Sequence, residues 1–369
     1  MQSWYPLKEE STGKKSIVLR NSEGKQWVFP IGNVKTGMNI YQPSSLKGKG
    51  IKLLLPYIKY LSPVLQRLNI NVVNLEMVQE IEEYLNKIIG SGFQYSVFYG
   101  TPSPNQKITI QLNQGKKCIA YVKLTGKEHI WYYFQKEYNL LKELEQKRVA
   151  GIPKALAIQK IGEQYIFVQS GDKDGKEKAA DRFEELHYSF LKDIWEKTKV
   201  EKSFSETGYF GSLEELRSYE DDFSENEKKI IRKGIEKVKK KFAAEREYAV
   251  YHGDFTPWNM YIKDGKLQVF DFEYAQYDYP KFLDIFHFHT QVWNLAEHRT
   301  KEEIWNLYCK NCQEWQHKLQ IEDINIYYMA YLLEIIRLNK GLEKETKISI
   351  SKKSYELWIY LLGKLKTVA

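Results

Sequence analysis

The residues with the clearest chemistry stand in His252-Gly253-Asp254-Phe255-Thr256-Pro257-Trp258-Asn259, followed by Val269-Phe270-Asp271-Phe272-Glu273. An aspartate and an asparagine lie five residues apart in a polar loop, which follows a short strand-like run, Tyr248 to Tyr251. A second aspartate ends another apolar strand twelve residues after the asparagine. Phosphoryl transfer calls for this equipment: one carboxylate to orient and deprotonate an attacking hydroxyl, and hard oxygens to hold magnesium on the phosphates. An ordinary hairpin with loop acids would not need both strands in these places.

Phosphates also need a fixed cation, with an acid on a neighbouring helix to hold it. The strand-like run Ile119-Ala120-Tyr121-Val122-Lys123 ends on a lysine, and Glu137 follows fourteen residues later. Phe134, Glu137, Leu141 and Leu144 keep helical spacing, so Glu137 lies on the apolar face of its helix. A carboxylate there is costly unless paired, and Lys123 is the expected partner. The turn Gly100-Thr101-Pro102-Ser103-Pro104-Asn105 offers backbone N–H groups and the hydroxyls of Thr101 and Ser103 to phosphate.

The pattern His-Gly-Asp-x-x-x-x-Asn, then a strand ending Asp-Phe-Glu, resembles the aminoglycoside phosphotransferase and choline kinase group, small-molecule kinases with the protein-kinase-like fold. The resemblance runs from Phe93 to Thr300. It implies Asp254 as catalytic base, Asn259 as a Mg²⁺ ligand and Asp271 as the principal one. It implies His252 as a brace for the loop, and Asp284, in Pro280-Lys281-Phe282-Leu283-Asp284, as a buried supporting acid. Lys123, fixed by Glu137, would steady the phosphates of ATP, and Gln169-Ser170-Gly171 would form the hinge that takes adenine through backbone groups. ATP and Mg²⁺ are the implied cofactors. Two other readings are weighed. A protein kinase is opposed by the lack of a Gly-x-Gly-x-x-Gly loop and of an arginine between His252 and Asp254. A non-catalytic pseudokinase scaffold is opposed by the presence together of Lys123, Glu137, Asp254, Asn259 and Asp271.

These residues need a frame. The implied fold class is α+β: a protein-kinase-like bilobal fold with a small antiparallel sheet lobe, a larger mainly helical lobe, and an N-terminal α/β extension. The expected divisions are 1–90, the extension; 91–171, the nucleotide-binding lobe; and 172–369, the helical catalytic and acceptor-binding lobe. Within the extension, Ser16–Leu19 and Gln26–Phe29 read as strands, and Leu75–Ile89 reads as a helix with apolar residues at 77, 78, 81, 84, 85 and 88. Lys263-Asp264-Gly265-Lys266 is a hairpin turn. Three helices are expected after Ile304.

With 369 residues, 43% hydrophobic and 28% charged, the chain has ample material for cores. No apolar run nears the roughly 20 residues that cross a bilayer, and the N-terminus reaches Lys8-Glu9-Glu10 without an apolar stretch. Three cysteines make no disulfide framework, so a cytoplasmic enzyme is expected. The net charge of +8 favours anionic ligands, but no nucleic-acid motif accompanies it, so nucleic acid is not an expected partner. Glutamates and aspartates at 184, 185, 214, 215 and 220–222 could attract a cationic acceptor such as an aminoglycoside or choline, and a solvated helix face explains them equally well. By analogy with relatives that carry an extension, a sugar or surface-glycan hydroxyl is preferred. Lys52 to Leu61, apolar with lysines, could instead pack on its own protein or lie on an anionic membrane.

Overall fold

The computed structural model describes residues 4–368 apart from 23, 44, 69, 104 and 350. Pro104 of the phosphate-turn expectation therefore lies outside the described residues. The chain forms two compact units, Met1–Glu143 with Pro153–Lys178, and Leu144–Ile152 with Ala179–Ala369.

The first unit is built on eight antiparallel strands: β1 (Leu7–Arg20), β2 (Gln26–Pro30), β3 (Asn71–Met77), β4 (Gln94–Phe98), β5 (Ile108–Gln114), β6 (Lys117–Thr125), β7 (Ala155–Ile161) and β8 (Gln164–Ser170). Their order is β3-β1-β2-β4-β5-β6-β8-β7. The pairs Trp27↔Phe98 and Val28↔Val97 carry the sheet of the first 90 residues directly into β4. Alternation along each strand makes two cores. Val18 and Val28 join Val97, Ile110, Val122 and Val168 in one, while Ile17, Leu19, Trp27 and Phe29 join Leu55 and Leu65 in the other.

The helical pieces of this unit are α1 (Val34–Gly37), α2 (Leu46–Ile58), α3 (Ser62–Arg67), α4 (Gln79–Ile89) and the long α5 (Glu128–Gln146), whose residues from Leu144 belong to the second unit. The helix expected over 75–89 begins instead at Gln79: Leu75, Glu76 and Met77 belong to β3 and Val78 follows it. Val73, Leu75 and Met77 alternate as a strand does, and pairing with β1 outweighs the helical spacing at that end.

In the second unit the helices are α6 (Glu185–Thr198), α7 (Gly208–Ser218), α8 (Glu225–Phe242), α9 (Leu283–Gln291), α10 (Lys301–Leu319), α11 (Ile324–Thr346) and α12 (Lys352–Val368). Among them lie β9 (Val200–Glu201), β10 (Glu247–Tyr251), β11 (Met260–Lys263), β12 (Lys266–Val269) and β13 (Gln276–Tyr279). Helix α11 is buried from Ile326 to Arg337, with Glu334 and Arg337 paired at 2.5 Å inside it. The turn between β11 and β12 has φ +49° at Asp264 and +71° at Gly265, the primed geometry that matches strand twist.

Candidate active site

In the first unit, β6 places Lys123 opposite Thr109 on one side and Phe167 on the other. Its Nζ lies 2.6 Å from Glu137 Oε2 of α5. Glu137 is fully buried and Lys123 is 9% exposed. A charge so enclosed is costly unless paired, and each member of this pair supports the other. Gln169 sits on β8 opposite Tyr121, buried, with its Oε1 lacking a hydrogen-bond partner. Thr101 is exposed and Ser103 half-exposed in the β4–β5 connection. Gly100 there has φ +69°, and a Cβ would lie 2.3 Å from the Lys107 carbonyl oxygen, so only glycine closes this turn. The Ser103 carbonyl accepts the Gln106 N–H at 3.0 Å.

The second unit holds the acidic loop. β10 ends at Tyr251, and the buried Asp284 of α9 catches the next two residues: its Oδ2 accepts the His252 N–H at 3.0 Å and its Oδ1 the Gly253 N–H at 3.2 Å. Burial pushes the Asp284 carboxyl up to about 7, against the lowering effect of those donors and of His287. Gly253 turns at φ +83°, where a Cβ would lie 2.5 Å from the Tyr274 carbonyl oxygen. His252 Nδ1 accepts the Asp254 N–H at 3.2 Å, so its Nε2–H donates to the Phe270 carbonyl at 3.3 Å. Burial pushes this imidazole down to about 4, which keeps it neutral and in that tautomer. His252 thus ties the loop to the strand end that precedes Asp271.

Asp254 itself is held at both oxygens. Asn259 Nδ2 donates to Oδ2 at 2.7 Å, and His287 Nε2 lies 3.2 Å from Oδ1. The side chain remains 30% exposed. Its carboxylate is therefore fixed in direction yet open to a ligand. Asp271 follows Phe270, whose N–H donates to the Asn259 carbonyl at 3.0 Å, and adopts φ +70°. The left-handed region costs an ordinary residue roughly 1–2 kcal/mol, and such strain concentrates at functional positions.

Within this unit the structure brings His252, Asp254, Asn259 and Asp284 into one hydrogen-bonded group. It adds one residue that the sequence reading missed, His287, buried on α9 one turn beyond Asp284. The signal was there: an acid and a histidine three apart share a helix face. A cleft of about 410 Å³ opens at Asp254, with Trp258, Tyr274, Gln291, Asn339 and Trp358 among its walls. Asp254 is its one acidic lining residue among the described residues. Five of the seven acids considered for a cationic acceptor pair with basic side chains: Glu214 with Lys239, Glu215 with Arg337, Glu220 with Arg232, Asp222 with Lys344 and Glu185 with Lys318.

No protein-family model and no curated protein matches the sequence. Solved structures do match. A thermostable mutant of aminoglycoside phosphotransferase APH(4)-Ia, in a ternary complex with ADP and hygromycin B, aligns with a TM-score of 0.51 at 9% identity, over 78% of this chain and 98% of that one. The same enzyme with AMP-PNP and hygromycin B gives 0.51 at 8% identity, over 79% and 98%. A choline kinase from Cryptosporidium parvum Iowa II gives 0.49 at 14% identity, over 79% and 96%. At such identities the first two likenesses establish architecture, and function has to be argued from the site. The chain has the protein-kinase-like fold of aminoglycoside phosphotransferase.

Proposed function

We propose that the chain is an ATP- and magnesium-dependent kinase that moves the γ-phosphate to a hydroxyl of a small molecule, with a sugar or surface-glycan precursor as acceptor. The observation that carries this reading is Asp254, oriented by Asn259 and His287 and 30% exposed at a cleft of about 410 Å³. There it would receive the hydroxyl proton while the oxygen attacks phosphorus, with positioning and charge neutralisation supplying most of the acceleration.

The donor chemistry fits magnesium. Asn259 commits its Nδ2 to Asp254, which leaves Oδ1 as the atom offered to a cation, and Asp271 adds a carboxylate. These are hard oxygens of the kind magnesium takes, with no thiolate or imidazole in the set. Bound magnesium would neutralise phosphate charge. Lys123, fixed by Glu137, would add an ammonium for phosphate.

One feature favours an uncharged, hydroxylated acceptor over a polycation: Asp254 is the cleft's single acidic lining residue among the described residues, while Glu214, Glu215 and Glu220 pair with Lys239, Arg337 and Arg232. The aromatic rings of Trp258, Tyr274 and Trp358 favour choline as the second reading, because such rings can also enclose a quaternary ammonium.

Purified wild type and Asp254→Ala, offered labelled ATP with a panel of sugars, aminoglycosides and choline, provide the test. The variant keeps nucleotide binding and loses transfer by roughly a hundredfold to ten-thousandfold. Unchanged turnover would remove Asp254 from the chemistry.

A further inference from the structure

Between positions 24 and 75 the chain has six lysines and Arg67 and no aspartate or glutamate, while the entire chain carries a net charge of only +8. Nearly the whole positive excess is therefore concentrated in one stretch of the first unit. This is the stretch that supplies β2, α2 and α3.

Helix α2 is apolar on two opposite sides. With roughly 3.6 residues per turn, Leu55 points to one side and Leu46, Gly50, Leu53 and Tyr57 to the other. Leu55 is fully buried in the core with Leu65, Trp27 and Phe29, and this contact holds the helix on the sheet. The outer side is left in solvent: Leu46 is 87% exposed, Leu53 70%, Tyr57 77% and Tyr60 69%, with Leu54 and Leu61 above 50%. Six large exposed apolar residues within and just after one helix far exceed the single exposed leucine that needs no explanation. Lys47 and Lys49 flank them on the helix and Lys59 follows Tyr57, its Nζ 5.1 Å from the Tyr60 ring centre. Ser45 caps the helix by accepting the Gly48 N–H at 3.1 Å, so the patch begins on ordered backbone.

We propose that this face lies on an anionic lipid bilayer, with the leucines and tyrosines entering the headgroup boundary and the lysines meeting lipid phosphate. Charge selects the occupant. Two copies of the chain joined through this face would bring two uncompensated basic patches together, whereas anionic headgroups complement them. An apolar face ringed by lysines is the pattern of interfacial helices. No helix among the described residues is long and apolar enough to cross a membrane, so the attachment is peripheral. The inference stands independently of the kinase reading, since it uses none of the residues of the acidic loop.

The experiment is co-sedimentation of the full chain with phosphatidylcholine vesicles, with and without phosphatidylglycerol. Two variants accompany it, Lys47→Gln/Lys49→Gln/Lys59→Gln and Leu53→Ser/Tyr57→Ser, whose side chains project from the fold and whose melting should match wild type. Wild type sediments with the anionic vesicles and stays in solution with the neutral ones. The lysine variant loses on the order of 100-fold in vesicle affinity. The apolar variant also loses binding, and added salt weakens the wild-type interaction. Failure to bind anionic vesicles, equal binding to both kinds, or binding that survives both variants would overturn the proposal. So would concentration-dependent dimerisation abolished by Leu53→Ser/Tyr57→Ser, which would assign the face to a second copy.

Discussion

Replacing Asp284 tests whether one buried carboxyl supports the acidic loop. Its two oxygens accept the His252 and Gly253 N–H groups at 3.0 and 3.2 Å, and the side chain is 1% exposed. Asp284→Ala leaves both donors without a partner, at about 1–3 kcal/mol each, so the loss is roughly 2–6 kcal/mol. Asp284→Asn keeps one acceptor oxygen and turns its amide N–H₂ towards the other donor, so it loses roughly 1–3 kcal/mol. Urea denaturation at mildly acid pH, followed by near-ultraviolet circular dichroism, reads both values. The pH dependence adds a second check. Burial pushes the Asp284 carboxyl up to about 7, so between its unfolded value near 4 and pH 7 the native protein holds a proton that the unfolded chain has released. That contribution is fully present below about pH 4 and is lost as pH rises through 7. The stability advantage of wild type over Asp284→Asn therefore narrows from pH 4 to 7. An alanine variant as stable as wild type, or a gap that widens with pH, would refute the reasoning.

Two further outcomes follow from buried groups. His289 packs against Trp293, Trp315 and Phe183, and burial pushes its imidazole down to about 3. A depressed histidine contributes stability that is present above about pH 6.5 and lost on acidification. His289→Phe should therefore flatten the fall in stability from pH 6.5 to 4, by up to about 3 kcal/mol in urea titrations at each pH. Glu137→Ala removes the buried carboxylate that pairs with Lys123 at 2.6 Å and should cost roughly 3–5 kcal/mol, whereas Lys123→Met/Glu137→Leu should regain most of that while still losing nucleotide affinity. Thermal melts and ATP titrations separate the two effects.

Much of the candidate site could be read from spacing because its members are close in sequence. Asp254, Asn259 and Asp271 lie on one hairpin, and Glu137 declared its need for a partner by sitting on an apolar helix face. His287 reaches Asp254 only because α9 packs beside the loop, and no local pattern states that packing. The acid-rich stretch after residue 181 left a cation lure and a solvated face equally open, and its partners Lys239, Arg337 and Lys344 come from helices far along the chain. The extension was legible as strands, but its place in the sheet rests on Trp27 pairing with Phe98, a contact across some seventy residues. Likewise Leu53 and Tyr57 read the same whether packed or exposed; burial of Leu55 on the opposite side decides it.

Calorimetric titration of ATP into wild type and Asp271→Ala, with and without magnesium, addresses the central claim most directly. Wild type is predicted to bind ATP with an affinity that depends on magnesium, and Asp271→Ala to lose that dependence. If wild type binds neither ATP nor GTP under any magnesium condition, the phosphotransferase account is contradicted.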